Sequence, residues 1–91
     1  MLIAIDYDDT YDRDPVMWME FIKIAKQHGH AVVCATMRYE NEQTTMCYDL
    51  RGAVRVICTG RAAKRPFLEG LGLKPDVWID DSPHWILSNA F

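Results

Sequence analysis

Four short apolar runs divide the chain, and each stops at a turn or a polar group. Leu2-Ile3-Ala4-Ile5 stops at Asp6, and Ala31 to Ala35 stops at Thr36. Val54 to Cys58 is closed by Gly60, and Val77-Trp78-Ile79 stops at Asp80-Asp81. Runs this short and this rich in β-branched residues predict strands, buried on both faces where the run is unbroken.

Helical patterns fill the intervals. Asp14 in the capping position and Pro15 in the first turn start a helix over Val16 to His28, which Gly29 ends. Its apolar stripe is wide, with Met17, Phe21 and Ile24 on one line and Trp18, Ile22 and Ala25 beside it, and Met17, Trp18 and Met19 read as core packing. Tyr39 to Arg51 reads as a weaker helix, because Thr44, Thr45, Cys47 and Tyr48 are poor helix formers. Ala62 to Leu71 reads as a third, with Pro66 in its first turn, and Ser82-Pro83 opens a last short one through Leu87. Strands alternating with helices at this spacing predict a parallel sheet covered on both faces by right-handed crossovers.

Ninety-one residues suit one domain, residues 1–91. No apolar run reaches the length of a membrane span, and no basic segment precedes the first strand. The expectation is a soluble, cytoplasmic protein with no membrane partner. Cys34, Cys47 and Cys58 are odd in number and lack the spacing of a zinc site, so they read as reduced structural thiols. The formal charge is −3, yet setting aside Asp6, Asp8, Asp80 and Asp81 leaves ten bases against nine acids. The acidity therefore lies in one candidate site and not in a solvating tail, and no basic stripe for nucleic acid is present.

In a parallel sheet all strands end at the same edge, where open α/β folds carry their chemistry. Asp6 and Asp8, Thr36, Asp80 and Asp81 are predicted at that edge, with Lys64 at a helix start. Clustered carboxylates there can hold a divalent cation and divide the roles of nucleophile and acid–base. Asp9 reads as a solvated turn residue. Arg38, two residues after Thr36, reads either as a contact to a substrate phosphate or as an ordinary exposed arginine. His28 and His30 read as helix-end residues, and His84 and Trp85 follow the acid pair near the site mouth.

In this order the motifs resemble the haloacid dehalogenase-like phosphohydrolases. That family has an apolar strand followed by D-x-D-x-T/V, an apolar strand followed by Thr or Ser, a Lys at a helix start, and an apolar strand followed by an acidic pair. The matching residues are Asp6-Tyr7-Asp8-Asp9-Thr10, Val32 to Thr36, Lys64 and Val77 to Asp81, and they cover nearly the whole chain. The resemblance implies a Rossmann-like three-layer αβα domain with a four-stranded parallel sheet in the order 4-1-2-3. It implies Mg2+-dependent hydrolysis of phosphomonoesters through an aspartyl-phosphate on Asp6, with Asp8 as acid and base. Members that cleave other bonds often lack that second acid. Thr36 would bind a phosphoryl oxygen, Lys64 would neutralise phosphate and hold Asp6, and Thr10 would brace the loop. The metal would take Asp6, the backbone carbonyl of Asp8, and Asp81 or Asp80, with Asp81 favoured.

The intervals after Thr10 and after Thr36 are too short for the family's cap domain. An uncapped site suits a large phosphorylated substrate, such as a nucleic-acid end or a phosphoprotein, beside small phosphomonoesters, or else closure by another copy of the chain. Two other readings use the same residues. One is a non-catalytic module that binds metal or phosphate, or an interaction subunit of this fold. The other is a phospho-acceptor receiver domain, whose acceptor Asp belongs on a middle strand.

Overall fold

The structure, a computed structural model, describes residues 1–91. Four parallel strands, β1 (Leu2–Ile5), β2 (Ala31–Thr36), β3 (Arg55–Cys58) and β4 (Val77–Ile79), form one sheet in the order β3-β2-β1-β4. Read from the other edge, this is the expected order 4-1-2-3. Between them run α1 (Pro15–Gln27), α2 (Thr45–Arg51) and α3 (Lys64–Gly70), and α4 (His84–Leu87) follows β4. Single 3-10 turns stand at Tyr11–Arg13 and Glu40–Glu42, and no cap domain is inserted after β1 or after β2.

Side-chain alternation along β1 sorts the core into two layers. Ile3 and Ile5 join a cluster with Ile22 and Ala25 of α1 and Cys47 and Leu50 of α2. Ala4 joins the opposite cluster with Val33, Ala35, Ile57 and Leu68 of α3. The chain therefore moves outward from β1 to β3 over one face, then returns over the other to place β4 against β1. That reversal opens a crevice at the carboxyl end of β1, where a doubly wound sheet binds ligands.

The α1 limits follow from its local chemistry. The Asp14 carboxylate accepts a hydrogen bond from the Met17 amide at 3.1 Å, Pro15 opens the first turn, and Gly29 leaves the helix at φ +83°. The buried stripe is narrower than the apolar pattern suggests. Ile22 and Ala25 are buried with Trp18, Met19 and Phe21 packed beside them, whereas Met17 and Ile24 face outward. Expecting Met17 and Ile24 in the core was wrong, because one helix on a small sheet buries only the residues beneath it.

Two further helices start later than the pattern predicts. Residues 39–51 do not form one helix. Thr44 adopts an extended conformation, and its hydroxyl accepts from the Cys47 amide at 3.2 Å, so a side-chain cap starts α2 at Thr45. The helix expected from Ala62 starts at Lys64, because Gly60 and Arg61 both take positive φ (60° and 72°) and turn the chain sharply beforehand. Val54, expected in β3, instead donates its amide to Leu50 at the end of α2, and β3 starts one residue later.

The buried side chains of α3 are Lys64 and Leu68, one turn apart on one stripe. Leu68 is fully buried against the sheet and fixes the helix that carries Lys64 to the strand ends. Replacing Leu68 with Ala is expected to lower stability by about 2–5 kcal/mol, as large-to-small changes in packed cores do. Urea unfolding measures this, and a loss under about 1 kcal/mol would contradict the packing described.

Candidate functional site

Strand register brings the acids together. Ile5 pairs with Ile79 across β1 and β4, so the next residues, Asp6 and Asp80, leave the sheet side by side. The Asp6 amide continues the ladder by donating to the Ile79 carbonyl at 2.9 Å. Alternation then turns Asp6 to the face of Ala4, which is the α3 face, and Tyr7 to the face of Ile5, where it joins the first cluster.

Lys64 meets these carboxylates from below. Its ammonium donates to Asp6 Oδ1 at 2.8 Å and to Asp80 Oδ2 at 2.6 Å. All three side chains are nearly closed to solvent, at 3 % for Lys64, 8 % for Asp6 and 2 % for Asp80. The second Asp80 oxygen accepts from the Ser82 amide at 2.9 Å. Thr10, itself buried, lies with its hydroxyl 3.3 Å from both Asp6 Oδ2 and Asp81 Oδ1 and braces the loop as expected. Asp81 stays exposed beside this buried triad.

The electrostatics follow from that burial. Desolvation pushes the Asp6 carboxyl up from 3.8 to about 7, against the opposing pull of Lys64 and with help from Asp81 and Asp80. Asp81 is held below its ordinary value, chiefly by its contact with the Asp6 carboxyl and then by Thr10 and Ser82. Burial pulls the Lys64 ammonium down, but Asp6 and Asp80 outweigh it and leave the group above its usual range.

The donor set fits a cation. Asp6, Asp80 and Asp81 each offer a carboxylate oxygen, and these oxygens lie within 4.8 Å of one another. Oxygens shared by one hard divalent ion stand at most about 4–5 Å apart, and such ions take carboxylates in preference to nitrogen or sulfur. The Asp80 side chain is nearly closed to solvent with short bonds to Lys64 and Ser82, whereas Asp81 is exposed and makes only long contacts to Thr10 and Ser82, at 3.3 and 3.4 Å, so the freer carboxylate is that of Asp81.

The remaining expected residues take different places. Asp8 lies on the cavity wall but is held by Arg38, whose Nε and Nη2 donate to its carboxylate at 3.0 and 2.7 Å. Thr36 is fully buried and lies outside the cavity wall, with its hydroxyl accepting from the Arg38 amide at 3.3 Å. Asp9 is exposed at φ +59° and pairs loosely with Arg13 at 3.6 Å. Trp85 joins the wall of a cavity of about 450 Å³ that opens above the acids.

The sequence pattern gave no site role to Arg61 or Glu42, which also line the cavity. Arg61 Nη2 donates to Glu42 at 2.9 Å, and its Nη1 donates to the Met37 carbonyl at 2.6 Å. The pattern also passed over Asn89, whose side-chain oxygen accepts from the Ala63 amide at 2.8 Å and caps α3, which has no cap of its own. The only advance signal for the Asp8–Arg38 pair was the adjacency of β1 and β2, whose following loops must meet. No protein-family model, no curated protein and no solved structure matches this chain.

Two outcomes follow. Between about pH 4 and pH 7 the folded chain keeps a proton on Asp6 that the unfolded chain releases, so this stabilisation is complete at low pH and disappears as pH rises through 7. A divalent cation bound at these acids would have to displace that proton, so its stabilising shift in a thermal melt should be larger at pH 8 than at pH 5.5. An equal shift at both would contradict a site containing Asp6. Separately, Lys64→Met in chelator should cost about 3–5 kcal/mol at pH 8, because it removes the cation that lets the buried Asp6 be ionised. The cost should shrink at pH 5.5, where Asp6 is protonated, and a cost independent of pH would contradict the pairing.

Proposed function

We propose that this chain is a magnesium-dependent phosphomonoesterase of the haloacid dehalogenase-like kind, with Asp6 as nucleophile. The observation that carries the reading is the meeting of Asp6, Lys64, Asp80 and Asp81 at the carboxyl edge of a parallel sheet in the order β3-β2-β1-β4. Three separated segments supply these groups, and they are the residue types a phosphoryl transfer requires.

Asp6, Asp81 and the Asp8 carbonyl would hold magnesium, with Asp80 committed to Lys64. When bound, the ion offsets the repulsion between an anionic nucleophile and an anionic phosphate. The residues of the chain do the rest. An Asp6 carboxylate oxygen attacks phosphorus, the bond from phosphorus to the ester oxygen breaks, and an aspartyl-phosphate forms. Asp8 gives its proton to the departing alcohol oxygen. Asp8 then takes a proton from water, the resulting hydroxide attacks the same phosphorus, and phosphate leaves Asp6 as a free carboxylate. Lys64 keeps Asp6 oriented throughout and places positive charge where the phosphate gathers negative charge.

The open cavity suits a phosphate presented on a larger molecule, such as a nucleic-acid end or a protein, as well as a small ester. A second reading, a binding module without turnover, is favoured by one observation. The Asp8 carboxylate is engaged by Arg38 and is not free to transfer a proton in this arrangement.

Release of phosphate from an aryl phosphate and from 3′- and 5′-phosphorylated oligonucleotides separates the two. Turnover is expected with magnesium, and it should fall by more than about a thousandfold in Asp6→Asn or with chelator. Activity retained in Asp6→Asn would overturn the nucleophile assignment. Absence of turnover in a folded protein that still binds magnesium would leave the binding module.

A further inference from the structure

Every cation facing the cavity is already paired with an acid. Lys64 holds Asp6 and Asp80, Arg61 holds Glu42, and Arg38 holds Asp8. A phosphate entering the cavity must therefore displace a carboxylate or bind without direct help from these side chains.

The three pairs differ in what displacement costs. Parting Lys64 from its partners would strand two nearly closed carboxylates. Parting Arg61 from Glu42 would unsettle a carboxylate that also accepts from the Tyr39 amide at 2.7 Å. The Asp8 carboxylate has no hydrogen-bond partner except Arg38, and its side chain is 46 % exposed, so it can turn into water at little cost.

Arg38 would not follow it. Its Nη1 donates to the Glu42 carbonyl at 2.7 Å, and its guanidinium lies 5.5 Å from the centre of the buried Tyr7 ring. With Asp8 gone, the Nε and Nη2 edge remains fixed in place, and that edge matches two oxygens of a phosphate.

We propose that Arg38 exchanges partners, holding Asp8 at rest and taking the phosphate of an incoming ligand in its place. The proposal rests on the phosphate-handling reading above and goes further, since ligand binding then frees the Asp8 carboxylate, which can take up a solvent proton and pass it to the departing oxygen. Binding and activation become one event, and Asp8 stays tied until a phosphate arrives.

A double-mutant cycle tests this without turnover. Inorganic phosphate is titrated calorimetrically, in saturating magnesium, into the wild type, Asp8→Asn, Arg38→Ala and the double variant, and thermal melts verify that each is folded. Asp8→Asn should weaken the competitor for Arg38 and tighten phosphate by about fivefold. In the Arg38→Ala background the same change should matter by less than about twofold. Equal gains in both backgrounds would show simple relief of repulsion and overturn the exchange. Arg38→Lys in place of Arg38→Ala should also abolish the coupling, since a point charge lacks the two-pronged edge. Phosphate that binds the wild type but not Asp8→Asn would overturn the exchange alone. Phosphate that binds none of the four would overturn the phosphate reading and the exchange with it.

Discussion

The buried ammonium of Lys64 is the contact on which the site depends. Three carboxylates emerge from two adjacent strand ends, and without a countercharge the buried ones could not stay ionised together. Lys64 reaches Asp6 and Asp80 because Leu68, one turn later on α3, anchors the helix against the opposite face of the sheet. The site is thus built through the core. The helix that closes the second layer is also the one that neutralises the acids.

One ammonium does not suffice for three acids. Desolvation leaves Asp6 with a raised affinity for a proton, and Asp81 leans on the same carboxyl. A structure that holds an excess of buried negative charge gains by admitting a cation. A cation bound among these acids would therefore compete with the proton at Asp6.

Much of the fold was legible because its signals are local. Asp14, Pro15 and Gly29 mark α1 through the chain's own capping chemistry, and the apolar runs end where the strands end. The sheet order came from resemblance, not from periodicity, and the structure has it. What escaped were the features set by distant partners. The start of α3 depends on Asn89, which lies beyond β4, and on a left-handed Arg61 that no propensity favours. Asp8 and Arg38 looked like independent site residues, and only the register of β1 with β2 makes them a pair. The resemblance gave Thr36 a phosphoryl oxygen to bind, whereas here its side chain is fully buried and its hydroxyl accepts from the Arg38 amide.

The most direct test of the account is the covalent state of Asp6 during turnover. Acid quenching of the magnesium-loaded protein with an aryl phosphate, followed by peptide mass analysis, reads it. The account predicts one phosphoryl group on the peptide carrying Asp6, present in the wild type and absent in Asp6→Asn. A phosphoryl group on another residue, or steady turnover that continues in Asp6→Asn, would contradict it.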